Sequence, residues 1–354
     1  MEKKEEEKYF KGRGAQVKPT NKFLKYSYVT EHVEGLDEPL VESPETKIFY
    51  EHSKTIVNKV ASPDVGMMYS LNPYQGCEHG CSYCYARNTN EYYGFDAGLD
   101  FESKLIAKTN AAQLLEKLLL DPKWQPNPIS LSGNTDCYQP LERKMELTRS
   151  ILKVFAKYRH PVGMITKNSL ILRDINLLED LAKDNLVKVY ISITSLDEKV
   201  RRAMEPRTAS ATKRLKTIEE LSKVGVPVGV MCAPIIPGLT DHEVPSILKS
   251  AADHGALSAG MTIVRLNGSV GPIFEDWVSK NFPDRAPKVL NQIRSAHGGN
   301  LNDSEFGRRM KGEGKVAEII NQLFKTAKRK YFDGKSMPEY DLNKFRRGGN
   351  LNLF

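Results

Sequence analysis

Short apolar runs alternate with longer stretches in which apolar residues recur at helical spacing. The short runs are rich in β-branched residues, which is typical of strands. The predicted strands are 68–72, 129–133, 162–166, 187–194, 226–233 and 261–266. The predicted helices between them are 110–120, 147–158, 174–183, 211–223 and 244–254, with Asp174 and Asp241 as N-caps. Strands that alternate with helices predict a parallel sheet with crossover helices.

Six such strands predict an α/β fold, a partial (β/α)6 barrel of the TIM type, over residues 61–270. Residues 1–60 are charged and show no sustained apolar period, so we expect an N-terminal extension that packs on the barrel. Residues 271–354 are rich in Gly, Asn and Arg around a basic helix predicted at 315–330, and we expect a C-terminal helical extension.

The composition bears on location and partners. The chain of 354 residues has a net charge of +8, with basic runs at 325–330 and 344–347. Such runs are more often a solvated face than a phosphate-binding surface, so nucleic acid is permitted and not demonstrated. No apolar run approaches the ~20 residues that span a bilayer. Five cysteines do not make a disulfide framework, and we expect a soluble, cytoplasmic protein with no membrane partner.

The most informative motif is a cysteine-rich loop after the first predicted strand. Cys77, Cys81 and Cys84 follow the spacing Cys-x3-Cys-x2-Cys. Three thiolates so close together can hold three corners of a cubane iron–sulfur cluster, and no nearby cysteine closes the fourth iron. The alternative is a closed zinc site that includes His79. Zinc ligands usually come as two separated pairs, so the cluster is favoured and His79 is predicted to be a loop residue.

This spacing, with Tyr83 before the last cysteine, resembles the signature of the radical S-adenosylmethionine (SAM) enzymes. The resemblance implies a [4Fe-4S] cluster whose open iron binds the amino and carboxylate groups of SAM. It also implies reductive cleavage of SAM to methionine and a 5′-deoxyadenosyl radical that abstracts hydrogen from a substrate. An external donor such as flavodoxin or ferredoxin would supply the electron.

Polar residues follow the next predicted strands, at the edge where parallel barrels place their sites. Asn134 and Asp136 lie where radical SAM proteins contact the SAM amino group, and a turn that caps the next helix explains them equally well. Lys167 could pair with the SAM carboxylate, or be an ordinary surface lysine. Ser192 and Thr194 share one face of a strand and suit the ribose or methionine part of SAM, although hydroxyl residues are common in strands.

The loop after the fifth predicted strand, residues 233–241, contains two prolines and a glycine that make it rigid. Ala233, Pro234 and Ile236 lie in a segment that resembles the loop against adenine in this superfamily. A stiff strand-to-helix turn is the alternative. Arg265 closes the sixth predicted strand, and we expect it to face the mouth of the barrel and hold a carboxylate or phosphate as one of the cofactor-binding residues.

Four segments together resemble the spore photoproduct lyase branch, also described as DNA repair photolyase-like. They are Cys84-Tyr85-Ala86-Arg87, Thr166-Lys167, Ser192-Ile193-Thr194 and Ala233-Pro234-Ile235. By that resemblance Lys167 and Ser192 contact the SAM carboxylate, and the backbone around Ala233 contacts adenine. Tyr83 and Tyr85 correspond to the tyrosines that relay a radical in the lyase.

One departure concerns the thiol that donates hydrogen in the lyase. Alignment of its Thr/Ser-Asp pair on Thr135-Asp136 places Gly133 at the position of that cysteine, and Cys137 follows four residues later. Cys137 is a candidate hydrogen donor or redox thiol, and a buried cysteine without chemistry is the alternative. The departure weighs against cleavage of thymine-dimer lesions. Cys232 lies in an apolar strand and is assigned to the core.

The leading hypothesis is therefore a radical SAM enzyme. A nucleic-acid substrate is suggested by the branch resemblance, the net charge and the basic C-terminus, and a target base would leave its stack to react. A peptide or small-molecule substrate fits the motifs equally well. The contrasting class is a non-catalytic iron–sulfur sensor or electron carrier, which would not need the set of SAM contacts. The sequence makes no prediction of oligomeric state.

Overall fold

The structure is a computed structural model that describes residues 10–23 and 45–348. Its strands are β1 (Lys47–Glu51), β2 (Val57–Lys59), β3 (Tyr69–Leu71), β4 (Tyr74–Gln75), β5 (Lys104–Lys108), β6 (Ile129–Leu131), β7 (Val162–Thr166), β8 (Val187–Ser192), β9 (Val228–Ile235) and β10 (Ser258–Ile263).

The helices are α1 (Leu99–Ser103), α2 (Ala111–Leu120), α3 (Glu142–Met145), α4 (Leu147–Tyr158), α5 (Ile175–Ala182), α6 (Glu198–Met204), α7 (Ala211–Lys223), α8 (Val244–Asp253), α9 (Val270–Asn281), α10 (Ala286–Ala296) and α11 (Gly314–Phe332). Short 3₁₀ helices lie at Tyr85–Tyr93, Ser169–Asp174, Asp241–Glu243 and Leu342–Lys344. No described helix is long and apolar enough to cross a membrane.

The main sheet has seven strands in the order β10-β9-β8-β7-β6-β3-β2. All neighbours are parallel except β2, which pairs antiparallel with β3 at one edge. Parallel neighbours need a crossover connection, and helices supply it here. These helices bury their apolar faces against the sheet. The predicted partial (β/α)6 barrel is therefore confirmed, with β2 as an added edge strand. A second, unpredicted sheet has the order β1-β5-β4, and β4 leads into the cysteine loop.

Element bounds follow the sequence pattern closely, with several differences. Asp241, predicted as an N-cap, lies within a 3₁₀ helix, and the N-cap position of α8 is Glu243, whose side chain makes no capping hydrogen bond. The sixth barrel strand is Ser258–Ile263, so Arg265 lies beyond it. Asp174 does not cap α5 with its side chain, because its carboxylate accepts hydrogen bonds from Tyr138 Oη (3.1 Å) and Arg149 Nη1 (3.2 Å). Helices α9 and α10 were not predicted, since Gly and Asn around them obscure the apolar period.

The core has two main parts. The larger lies between the sheet and its helices and includes Val189, Val230 and Ile218, each fully buried. The smaller joins Cys81 and Tyr83 of the cysteine loop to the helices after the barrel. Each large aliphatic side chain in these clusters contributes roughly 1.5–3 kcal/mol by burial. The division at residue 270 stays a prediction, and the second cluster packs across it.

The two edges of the main sheet are joined by a backbone hydrogen bond and an ion pair. Ile263 N donates to Met310 O (3.0 Å), which attaches the segment before α11 to β10. The next residue back, Arg309, donates from Nε to Asp64 Oδ2 (2.5 Å), in the loop between β2 and β3. This ion pair closes the barrel on the side where the sheet is open.

The C-terminal basic residues pack at the opposite end of the barrel, where the strands begin. Arg346 N donates to Tyr158 O (2.9 Å). Arg347 Nη2 donates to Trp124 O (2.8 Å), and Lys344 Nζ lies 3.3 Å from Asp184 Oδ1. These cations serve the fold, and they lie far from the strand ends that carry the site.

Candidate active site

A cavity of about 430 Å³ lies at the carboxyl ends of the barrel strands. Most of the residues predicted from the sequence line it, and Cys137, Thr194 and Ile236 do not. The predicted residues that do are Cys77, Cys81, Tyr83, Cys84, Tyr85, Asn134, Asp136, Lys167, Ser192, Ala233, Pro234 and Arg265. Residues far apart in the sequence therefore converge on one space.

The backbone of the cysteine loop is held on both sides. Cys77 N donates to Phe101 O (2.8 Å), and Ser82 N donates to Met204 O (3.0 Å). Gly80 has a φ of +67°, in the left-handed region that favours glycine. A β-carbon at Gly80 would also lie 2.8 Å from Glu102 Oε2. The loop thus takes its tight path where only glycine fits.

A buried ion pair lies beneath this loop. Arg87 Nη2 is 2.5 Å from Glu102 Oε1, and both side chains are fully buried. Arg87 also donates from Nε to Cys81 O (2.9 Å). Glu102 accepts from the backbone N–H groups of Gly14 (3.1 Å) and Ala15 (2.8 Å). Because the pair is fully hydrogen-bonded, it ties the N-terminal segment to the cysteine loop.

The three thiols fit a cluster. Burial raises the pKa of Cys77, Cys81 and Cys84, so without metal they are neutral thiols in one cavity. Iron binding would replace their protons. Among the described residues, no three His, Cys, Asp or Glu side chains are arranged around a single ion. His79 Nδ1 lies 3.4 Å from Asp136 Oδ2, so the geometry does not favour a zinc site with His79 as the fourth ligand.

Asp136 is fixed at the cavity wall. Its carboxylate accepts from Thr166 Oγ1 (2.8 Å) and Lys167 N (2.8 Å). Burial alone would raise its pKa, but the His79 charge and these hydrogen bonds lower the pKa of Asp136 to about 2. Asn134 donates from Nδ2 to Gln75 Oε1 at 3.2 Å. Both residues therefore hold the loop as well as line the cavity.

Lys167 is a half-buried cation without a partner in the described part of the chain. Its ammonium makes no hydrogen bond or ion pair with any residue that the structure describes. Burial opposes its charge, yet the carboxylates of Glu205 and Asp136 hold the pKa of Lys167 above its ordinary value. A charged donor next to the cysteines is therefore free to bind an anionic ligand.

A buried carboxylate, Glu205, was missed from the sequence. It accepts hydrogen bonds from Tyr83 Oη, Thr194 Oγ1 (2.8 Å) and Arg214 Nη2 (2.5 Å). Burial alone would raise the pKa of Glu205, but the charges of Arg214 and Lys167 lower this pKa to about 2. The Thr194 hydroxyl is engaged here and does not reach the cavity. Glu205 lies 122 residues from Tyr83, so no local pattern indicates the contact.

The ends of β8 and β9 form the next part of the wall. Ser192 ends β8, and its hydroxyl has no hydrogen-bond partner among the residues described. Ala233 and Pro234 line the cavity from β9. Ile236 instead points into the second core cluster, and its N–H donates to Thr240 Oγ1 (3.0 Å). The chain turns away after Ile235, so Ile236 is not placed at the cofactor site.

Cys137 also lies outside the cavity. Its side chain is fully buried in the main core, and its N–H donates to Ser132 Oγ (2.7 Å). Burial raises the pKa of its thiol. The geometry thus favours the alternative of a core cysteine that takes no part in the reaction. Cys232 is likewise buried in the core, as predicted.

The lining of the cavity also includes apolar residues that the sequence did not indicate. Tyr85 Oη donates to Gly133 O (2.9 Å) at its edge. Arg265 lines the cavity, together with the apolar side chains of Val65, Met67 and Met310. These three come from loops without any recognisable motif, so only the folded chain brings them together.

The comparisons with known proteins agree with this geometry. The family model of the radical SAM superfamily matches residues 71–251. An uncharacterized protein of Mycobacterium tuberculosis is 33% identical over 244 residues, which is 68% of this chain and 72% of that protein. An uncharacterized protein of Methanocaldococcus jannaschii is 31% identical over 191 residues, 54% of this chain and 68% of the relative.

Among solved structures, spore photoproduct lyase complexed with dinucleoside spore photoproduct matches with a TM-score of 0.59. The match covers 81% of this chain and 80% of that chain at 12% identity, so it shows a shared fold. The family model covers half of the chain and includes all three cysteines of the loop. This chain belongs to the radical SAM superfamily, and its fold is that of spore photoproduct lyase.

Proposed function

We propose that this protein binds a [4Fe-4S] cluster through Cys77, Cys81 and Cys84 and uses SAM to begin a radical reaction on a substrate in the same cavity. The chemistry that cluster and SAM supply when bound is one-electron cleavage of the sulfonium and hydrogen abstraction by the resulting 5′-deoxyadenosyl radical. The observation that carries the proposal is that three thiols, two of them buried and that of Cys84 half-buried, line one cavity with Lys167, which has no partner among the described residues.

Each side chain has a defined task in this proposal. The three thiolates bind three irons and leave one iron open. Lys167 binds the SAM carboxylate by a charge-assisted hydrogen bond, and the fixed carboxylate of Asp136 attracts the SAM amino group. The free hydroxyl of Ser192 and the backbone of Ala233 contact the nucleoside. Tyr83, held by Glu205, keeps its ring against the site and excludes water.

For the substrate, we propose a molecule that contains a nucleotide. The related fold of spore photoproduct lyase, in a structure with a dinucleoside lesion, supports this class. The basic C-terminal run gives little support, because Lys344 and Arg347 are engaged within the fold. An external one-electron donor of the flavodoxin or ferredoxin type would reduce the cluster. Since the thiolates must stay reduced, we propose a cytoplasmic location.

The test is anaerobic reconstitution followed by addition of dithionite and SAM. We expect iron and sulfide in cubane proportion and release of 5′-deoxyadenosine. Cys81→Ala should lose cluster absorbance and product, whereas Cys232→Ala, in the core, should keep both. Zinc in place of iron would contradict the proposal. An intact cluster with bound SAM but no 5′-deoxyadenosine would instead favour the sensor or electron-carrier hypothesis.

A further inference from the structure

Two of the cations that line the cavity, Lys167 and Arg265, have separate surroundings. The charges that act on Lys167 come from Cys81, Glu205, Arg214 and Asp136. The charges that act on Arg265 come from Arg309, Asp64, Asp303 and Tyr85. No residue belongs to both of these sets. Lys167 therefore belongs to the region of the cysteines, and Arg265 belongs to the region closed by the Asp64–Arg309 ion pair.

Arg265 differs from its basic neighbours in having no partner. Arg309 pairs with Asp64 (2.5 Å) and donates to Ser62 Oγ (2.5 Å). Arg308 pairs with Asp303 at 2.5 Å. The Arg265 guanidinium is half-buried and has no hydrogen bond or ion pair with any residue of the described ranges. The guanidinium carries five N–H donors, and partial burial of donors without an acceptor costs free energy. A ligand that supplies the acceptor would remove this cost.

The surroundings indicate what such a ligand contains. Val65 and Met310 line the cavity next in sequence to Asp64 and Arg309, whose charges act on Arg265. Met67 lines the cavity as well, so the three side chains offer an apolar surface. A planar guanidinium matches an oxyanion such as phosphate or carboxylate by two parallel hydrogen bonds. SAM has a single carboxylate, and Lys167 is the cation beside the cluster ligands. A second oxyanion must therefore come from another molecule.

We propose that Arg265 binds an oxyanion of the substrate, a phosphate or a carboxylate, while Val65, Met67 and Met310 contact the apolar part next to it. This inference rests on the proposed function and assigns Arg265 to the substrate instead of the cofactor. It also places the substrate between the cysteine loop and the Asp64–Arg309 pair.

The first test uses the reconstituted holoenzyme and phenylglyoxal, which modifies free guanidinium groups, with peptide mass spectrometry as the readout. We expect Arg265 to react faster than the paired Arg308 and Arg309. Inorganic phosphate, dimethyl phosphate and acetate are then added separately as protecting anions. Protection by the two phosphates indicates a phosphate group, and protection by acetate alone indicates a carboxylate. If none of the three protects Arg265, the proposal is wrong.

The second test compares variants by equilibrium binding of the protecting anion and of SAM. Arg265→Gln should weaken anion binding by about tenfold or more and leave SAM binding unchanged. Arg308→Gln removes the same charge outside the cavity and should change neither. Loss of SAM binding in Arg265→Gln would overturn the proposal and leave the proposed function standing. Failure of the wild-type protein to bind SAM would overturn the proposed function itself. The phenylglyoxal test needs no variant, so it decides the matter even if Arg265→Gln does not fold.

Discussion

At the scale of single residues, the site depends on charges held in place by burial. Lys167 keeps its charge in a half-buried position because Asp136 and Glu205 act on it, and both carboxylates are themselves fixed by hydrogen bonds. A partly desolvated cation without a hydrogen-bond partner would otherwise lower stability, and the acidic surroundings offset that cost. The same arrangement leaves the ammonium free for a ligand.

We therefore expect Lys167→Gln to lower the affinity for SAM by about tenfold or more, because a charge-assisted hydrogen bond is lost. Cluster content should stay unchanged, since Lys167 holds no iron. Anaerobic equilibrium dialysis with SAM measures the effect, and Lys199→Gln on the exposed face of α6 is the control. Equal affinity in both variants would show that Lys167 does not contact SAM.

Cys137 gives the opposite expectation. Its thiol is buried in the core and does not line the cavity, so Cys137→Ala should release 5′-deoxyadenosine at the wild-type rate. The variant should lose about 1 kcal/mol of unfolding free energy, as is common for a small core substitution. Urea unfolding and product analysis measure the two quantities. A large fall in product with unchanged stability would restore Cys137 as a reacting thiol.

At the scale of elements, the cysteine loop depends on a segment far from it in sequence. Residues 10–23 run beneath the loop, where Gly14 and Ala15 donate to Glu102. The approach is so close that a β-carbon at Gly14 would lie 1.7 Å from Gly80 O. Any side chain at Gly14 must therefore push the segment away from the loop.

Gly14→Ala should consequently destabilise the loop by about 1–3 kcal/mol, the usual range for overpacking. We expect faster loss of iron to a chelator, which is followed by absorbance of the cluster. Gly66→Ala is a matched control, because no atom lies within 4 Å of the β-carbon that it adds. Equal rates of iron loss in the two variants would mean that the N-terminal segment does not support the loop.

At the scale of the whole molecule, contacts between distant segments complete the barrel in two places. The Asp64–Arg309 pair joins the two edges of the sheet, and C-terminal residues around His160 cover the end opposite the cavity. His160 is fully buried against Phe155 and Phe345, and it accepts a hydrogen bond from Trp124 Nε1 (3.1 Å). Burial lowers its pKa from 6.5 to about 4.

This shift predicts a pH dependence of stability. Above the unfolded pKa, His160 is neutral in both states, and its contribution is fully present. As the pH falls below that value, the unfolded chain binds a proton that the folded chain excludes, so stability is lost. The loss attributable to His160 should be about 2 kcal/mol between roughly pH 7 and pH 5.

Urea unfolding at several pH values measures this slope. His160→Gln should reduce the slope by the stated amount, and His254→Gln, at a partly exposed position, is the control. An unchanged slope in His160→Gln would show that His160 is not the group that titrates.

The local patterns of the sequence determined much of this protein. Helices α4 and α7 begin and end where their apolar periods do, and the spacing of Cys77, Cys81 and Cys84 indicated the family, because these signals reside in neighbouring residues. The sequence did not predict the boundaries of β10 or the presence of α9 and α10, since packing and not a local period sets their limits.

The tertiary structure alone decided which polar residues face the cavity. Thr194 and Ser192 share a strand face in sequence terms, yet Glu205 engages the hydroxyl of Thr194 and leaves Ser192 facing the cavity. Cys137 looks like a candidate thiol until its burial is seen. That Lys167 and Arg265 have no partner among residues 10–23 and 45–348 depends on every side chain around them, and a partner distant in sequence leaves no trace in the local pattern.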